Sequence, residues 1–117
     1  MIQGRVCRTD KGSCIIPRVY KTTGIRERMQ GLLGRTPLQE NEALLLKPCS
    51  SVHSFGMRYT IDLVYLNRRW EIIKTVKAFK PWHISFCLKA HIVIEMIAGS
   101  LERLQLINGM QLVWQDE

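Results

Sequence analysis

Apolar and polar positions alternate along the first twenty residues in two short runs. “GRVCRT” and “SCIIPRVY” each have the pattern of a strand, and the turn between them contains Lys11-Gly12. A glycine provides the positive φ that a tight hairpin requires. The pattern therefore predicts an antiparallel hairpin in which Cys7 and Cys14 lie near each other.

The next segment changes to a helical spacing. Between residues 22 and 34, apolar side chains recur three and four residues apart, at Ile25, Met29, Leu32 and Leu33. This spacing predicts a short amphipathic helix. Thr22 or Thr23 is the expected N-cap, and Gly34 is the expected C-cap.

Two strongly apolar segments follow. “EALLLK” is too short and too evenly apolar for an exposed helix, so it predicts a buried strand. In “TIDLVYLN” both faces are apolar apart from Asp62, which predicts a central strand covered on both sides. The turn “NRR” should return the chain into “WEIIKTV” as an antiparallel partner.

The last third of the chain contains one more apolar strand and a second helix. “HIVIEMIAG” resembles the earlier central strand and also contains one acid, Glu95. Ser100 is the expected cap of a helix over “LERLQLI”, which ends before a final strand, “MQLVW”. The whole pattern predicts an α+β fold: six or seven strands in a mainly antiparallel, strongly curved, barrel-like sheet, with two short helices.

Composition places these elements in one domain over residues 1–117. Hydrophobic residues make up 46% and charged residues 23%, the usual mixture of a globular protein. No apolar run approaches the roughly 20 residues of a membrane span, and the first residues lack a signal-peptide core. We therefore expect a cytoplasmic protein with no membrane insertion, whose four cysteines are free thiols.

The chain is basic, with 17 Lys and Arg against 10 Asp and Glu and a net charge of +7. This balance favours acidic partners, whether nucleic acid, anionic lipid, or a small carboxylate or phosphate. The cations are scattered, and no run of five or six occurs. We therefore interpret them mainly as a solubilising surface on a monomer, and nucleic-acid binding is kept as an alternative function.

The stretch 49–66, “CSSVHSFGMRYTIDLVYL”, places reactive side chains next to a core strand. Asp62 and Glu95 are costly to bury unpaired, so we expect cations to meet them at the rim of a cleft. That cleft would hold a small polar or anionic ligand or a partner peptide, without a cofactor. Its predicted ligand-binding residues are Arg28, Arg35, Cys49, His53, Gly56, Met57, Arg58, Asp62 and Glu95.

Two other kinds of chemistry are compatible with the same residues. Cys49 could act as a nucleophile with His53 as its base and Asp62 or Glu95 as orienting acid. In an extended strand, side chains at 49 and 53 would lie about 13 Å apart, so this enzyme requires a turn between them. A metal site would need further ligands from Asp62, His83, Cys87 or His91, and we expect none. Catalytic residues are not assigned.

Several of these segments together resemble a known family. “ERMQGLLGR”, “VHSFGMRYTIDLVYL”, “KPW”, “EMIAG” and “NGM” occur in an order and spacing similar to those of domain of unknown function family 192. The resemblance covers residues from about 20 to 114. It implies a compact α+β, barrel-like fold and does not imply a reaction.

Overall fold

The computed structural model describes all 117 residues, Met1–Glu117. Nine strands and two short helices are present, more strands than the six or seven expected. The strands are β1 (Ile2–Arg8), β2 (Cys14–Lys21), β3 (Glu42–Leu46), β4 (Ser51–His53), β5 (Ile61–Leu66), β6 (Ile72–Phe79), β7 (Ile84–Phe86), β8 (Ile92–Ile97) and β9 (Leu112–Asp116). The helices are α1 (Ile25–Gln30) and α2 (Ser100–Arg103). Neither helix is both long and apolar enough to cross a membrane.

Seven strands form one sheet in the order β6-β5-β8-β3-β2-β1-β9, and β4 and β7 form a separate pair. Only the β2–β3 pairing is parallel, so the predicted mainly antiparallel α+β fold is confirmed. The expected barrel-like curvature is not confirmed. β6 and β9 remain the edge strands, and the segments preceding them are joined by a single isolated bridge between Glu71 and Gln111.

The sheet is covered on both faces, each with its own core. Ten buried residues, including Leu32 and Val52, pack on the side that we call the α1 face. Fourteen buried residues, including Leu101 and Leu106, pack on the opposite side, the α2 face. Because side chains alternate along a strand, β5 and β8 contribute to both cores, and all six residues of β5 are buried. The predicted central strand is confirmed.

The predicted N-terminal hairpin is also confirmed. β1 and β2 pair antiparallel, and Cys7 lies opposite Cys14. Both cysteines are free thiols. Gly12 has φ +64° in the turn, the conformation for which a glycine was expected.

The first helix is shorter than predicted and capped differently. Its N-cap is Gly24 and its C-cap is Gly31, in place of the expected threonines and Gly34. The N–H and the hydroxyl of Thr23 both donate to Glu27. The carboxylate of the first turn therefore accepts the hydrogen bonds of the residue that precedes the N-cap. Its apolar side chains Ile25 and Met29 are exposed, so the amphipathic packing was predicted wrongly for them.

The second helix is a single turn. Gly99, at φ +97°, is the N-cap, and Ser100 is the first helical residue. The Ser100 hydroxyl donates to the carbonyl of Ile97 and so does not cap the helix as predicted. Leu106 is buried while Ile107 is exposed, because the helix ends before Ile107 could share its apolar face.

Candidate functional site

A cleft of about 400 Å³ lies on the α1 face of the sheet. One wall is residues 28–33, at the end of α1 and the turn after it. The other wall is residues 48–53, which lead into and form β4. Glu95, from the central strand β8, also lines the cleft. Since β8 belongs to the sheet beneath both walls, Glu95 lies at the floor.

Glu95 is the one acid that the sheet presents to this cleft. It is 3% exposed, and its Oε1 atom has no hydrogen-bond partner. No cation lies within salt-bridge distance, although the charge of Arg35 partly favours the ionised form. Burial raises the pKa of Glu95 to about 7. The carboxyl group therefore changes its protonation near neutral pH, and one of its oxygens is free to accept a hydrogen bond.

Gly31 allows the main chain to approach this carboxyl group. Its φ is +53°, and a Cβ atom added there would lie 3.3 Å from Glu95 Oε1. Arg35 supports the same turn, because its Nε donates to the Gly31 carbonyl at 2.6 Å and its Nη2 donates to Gln30 at 3.3 Å. Arg35 therefore organises the wall above Glu95 and does not form an ion pair with it.

Cys49 and His53 lie on the same wall of the cleft, but no hydrogen bond joins them. The Cys49 thiol donates to the carbonyl of Ser51 at 3.1 Å. Burial raises the pKa of this thiol, and the nearby charge of Glu95 raises it further against an opposing effect of Arg28. The thiol form is favoured, which is the reverse of what an activated nucleophile needs.

His53 is an exposed side chain at the end of β4. Its Nδ1 accepts a hydrogen bond from the N–H of Phe55 at 3.3 Å, which leaves the proton of the neutral ring on Nε2. The ring stacks on Phe55 with 5.2 Å between centroids. His53 Nε2 is therefore a hydrogen-bond donor beside the cleft, together with the guanidinium of Arg28, which has no ion pair.

The remaining predicted residues of the “FGMRY” segment lie beside the cleft. Met57 is buried and lines it. Gly56 and Arg58 line a neighbouring cavity of about 440 Å³, together with Arg35. Gly56 has φ +86°, a backbone conformation that favours glycine, and a Cβ atom there would lie 3.1 Å from Leu33 Cδ1.

Asp62 does not belong to either cavity, which corrects the sequence interpretation. Its Oδ1 accepts the N–H of Ala78 at 2.9 Å, and its Oδ2 accepts the N–H groups of Gly99 and Leu101, each at 3.0 Å. Three backbone donors, and no arginine, satisfy this carboxylate. It joins β5 to β6 and to the start of α2 on the α2 face.

The structure also adds polar groups that the sequence pattern did not identify. The buried hydroxyl of Tyr59 has no partner, and burial together with the charge of Glu95 raises its pKa. Ser50, Ser51 and Gln30 line the cleft. Ser50 lies in a loop, and Ser51 and Gln30 are end residues of β4 and α1, so none of them belongs to an apolar pattern and only the fold places them at the cleft. No group of three or more His, Cys, Asp or Glu side chains is placed to hold a metal ion.

These features define a class of small α+β domain, in which a seven-stranded mixed sheet has, on one covered face, a cleft with a buried acid at its floor. The model of the family DUF192, described as “Uncharacterized ACR”, matches residues 7–114. The chain belongs to this family, which confirms the resemblance seen in its sequence.

Two crystal structures share the fold. One is of a candidate transcription regulator from Sinorhizobium meliloti 1021, with 19% identity, a TM-score of 0.84, and coverage of 96% of this chain and 93% of that one. The other is of a protein of unknown function from Novosphingobium aromaticivorans DSM 12444, with 17% identity, a TM-score of 0.73, and coverage of 96% and 84% respectively. No curated protein matches this chain significantly. At these identities the likeness concerns the fold alone.

Proposed function

We propose that this chain is a binding module that holds a small polar ligand in the cleft between α1 and β4. The observation that carries the proposal is the unpartnered Oε1 atom of Glu95 at the cleft floor. Buried polar atoms normally have hydrogen-bond partners, and one without a partner is costly. A ligand that donates an N–H or O–H to this oxygen would remove that cost on binding.

The cleft wall supports an acceptor group at the other end of the ligand. Arg28 has no ion pair and lines the cleft, and the free nitrogen of His53 is a donor. A carboxylate or another oxygen-rich group would satisfy both. A volume of about 400 Å³ lies in the range of sites for small molecules. The preferred ligand therefore has a donor group for Glu95 and an acceptor or anionic group for the arginine.

The other functions considered have weaker support. A thiol-dependent enzyme needs a reactive thiolate, whereas burial raises the pKa of Cys49. Nucleic-acid binding is supported only by the net charge of +7. A peptide from a partner protein could supply the same donor and acceptor groups as a small ligand. A cytoplasmic location and a monomeric state remain our expectations.

The cleft can be tested with three small probes, methylammonium, acetamide and acetate, in a backbone-amide NMR titration of the whole chain. We expect at least one donor-bearing probe to shift the amide signals of Gly31 and Ser51 in a saturable manner. The substitution Glu95→Met should abolish these shifts, because it removes the acceptor. Glu102→Met, on an exposed carboxylate of α2, should leave them unchanged. Absence of shifts with all three probes, or shifts that persist in Glu95→Met, would contradict the proposal.

A further inference from the structure

Five large apolar side chains are exposed together on the β4–β7 pair and its flanking turns. Trp82, Ile84, Phe86 and Leu88 are every second residue of one segment, and they are 69%, 64%, 59% and 85% exposed. Phe55 adjoins them, with its ring centroid 6.0 Å from that of Trp82. We call these five residues the apolar stripe.

The fold itself does not use the apolar stripe. β7 pairs only with β4, and its inward residue, Ser85, is buried and accepts a hydrogen bond from the hydroxyl of Tyr65 at 2.9 Å. A strand with one solvent face normally has polar residues on that face. Here the outward positions are apolar instead. Large apolar side chains left exposed on one short strand pair and its turns are typical of an interaction site.

The surroundings of the apolar stripe are positively charged. Residues 49–61 and 79–91, which contain β4, β7 and their flanking turns, include no aspartate and no glutamate, and they contain Arg58, Lys80 and Lys89. Lys74 Nζ donates to the carbonyl of Phe86 at 2.8 Å and lies 5.9 Å from its ring. Lys80 and Lys89 flank the segment from Trp82 to Leu88. Charge complementarity therefore favours an anionic partner.

We infer that the apolar stripe and its flanking lysines dock onto an anionic lipid surface. Aromatic and aliphatic side chains that project outward, with lysines beside them, suit the boundary between headgroups and acyl chains. Lysines can extend along the apolar surface to the headgroups, and each adds electrostatic attraction. The chain does not enter the bilayer core, because the apolar stripe binds only at the interface.

Two other anionic or apolar partners fit the surface less well. A single-stranded nucleic acid would stack on π-faces, but Ile84 and Leu88, which is the most exposed member, have none. A second copy of this chain would bring the same lysines together and repel. A lipid surface contacts both aliphatic and aromatic side chains, and it needs no complementary groove.

Vesicle co-sedimentation of the full chain tests this inference. The probe is phosphatidylcholine vesicles containing about one quarter phosphatidylglycerol, with pure phosphatidylcholine vesicles as the neutral comparison. We expect binding to the anionic vesicles, and we expect Ile84→Ser and Leu88→Ser each to lower the partition coefficient by about tenfold. The matched control is Ile107→Ser, because Ile107 is 65% exposed but lies away from the stripe, beside α2. It should bind as the wild type does.

Any of three results would overturn the inference. The first is no sedimentation with anionic vesicles. The second is a loss of vesicle binding in Ile107→Ser as large as in the stripe variants, and the third is a concentration-dependent dimer that the stripe substitutions dissociate. Retention on single-stranded DNA that Ile84→Ser and Leu88→Ser abolish would likewise assign the stripe to nucleic acid. Far-ultraviolet circular dichroism of each variant confirms that the fold is retained, and the proposed cleft is not required for any of these results.

Discussion

The side chains of Asp62 and Glu95 project from neighbouring strands to opposite faces of the same sheet. Asp62 lies opposite Met96, and Glu95 lies opposite Leu63, so the two acids are one position out of register. Because side chains alternate along a strand, that single position reverses the face. Asp62 accepts three backbone N–H groups, whereas Glu95 keeps an unpartnered oxygen. One acid holds the fold together, and the other is available to a ligand.

Asp62→Asn should destabilise the chain strongly. The side-chain amide would replace one acceptor oxygen by a donor that faces backbone N–H groups. We expect the free energy of unfolding to fall by about 3 kcal/mol, as measured by urea denaturation. Asp10→Asn is the control, since that carboxylate is exposed and pairs only with Arg8. Equal stability of the two variants would rule out the anchoring role.

Stability should decrease as the pH rises, because of Glu95. Its pKa is raised from 4.5 to about 7 in the folded chain, so between these values the folded state binds more protons than the unfolded state. The stabilisation is fully present below the pKa that Glu95 has in the unfolded chain, and it is lost as the pH rises through about 7. The loss has an upper bound of about 3 kcal/mol. The groups around Glu95 are Arg28, Arg35, Cys49, Tyr59 and Tyr65.

Glu95→Gln provides the comparison for that pH dependence. Urea denaturation at about pH 5 and about pH 8 should show that the free energy of unfolding decreases much less in the variant than in the wild type. Glu102→Gln, on an exposed side chain, should keep the wild-type decrease. If the stability of Glu95→Gln follows the wild-type curve, the carboxyl group of Glu95 is ionised throughout this range, which would contradict the raised pKa.

Gly31→Ala should affect both stability and the cleft. Gly31 and Gly34 have φ of +53° and +72°, so alanine is strained at either position. We expect each substitution to cost about 1 kcal/mol in the free energy of unfolding. Only at Gly31 would the new methyl group meet the Glu95 carboxyl, since no atom lies within 4 Å of a Cβ at Gly34. Probe binding measured by NMR should therefore weaken in Gly31→Ala and persist in Gly34→Ala.

The cysteines should differ in their rate of alkylation. Cys14 is exposed, whereas burial raises the pKa of both Cys7 and Cys49. Peptide mass spectrometry after brief treatment with iodoacetamide should find Cys14 modified before Cys7 and Cys49. Alkylation of Cys49 ahead of Cys14 would indicate an activated thiolate and would favour the enzyme alternative.

The strands that sequence reasoning identified well are those with a long apolar pattern. β5 and β8 are recognisable because they are apolar on both faces, and the β1–β2 hairpin because of its glycine turn. β4 and β7 have three residues each, too few for a periodicity to stand out. The spacing predicts the apolar face of α1 but not that this face is exposed, because periodicity does not show what covers an apolar face.

Part of the candidate site was predictable from the sequence, and the rest depended on how the strands pair. The sequence predicts Cys49, His53 and Glu95 at one cleft, and all three line it. It also predicts Asp62 there, because the pattern of a central strand with two apolar faces does not reveal to which face its acid points. That choice depends on the register with β8, which is a tertiary property.

The most direct test of the central claim is a carboxyl ¹³C NMR titration of Glu95, with and without the donor-bearing probes. The titration midpoint should lie near 7 in the free chain. It should be lower when methylammonium or acetamide is bound, because a hydrogen bond to the carboxylate favours its ionised form. A midpoint near the ordinary 4.5 that neither probe changes would contradict the central claim.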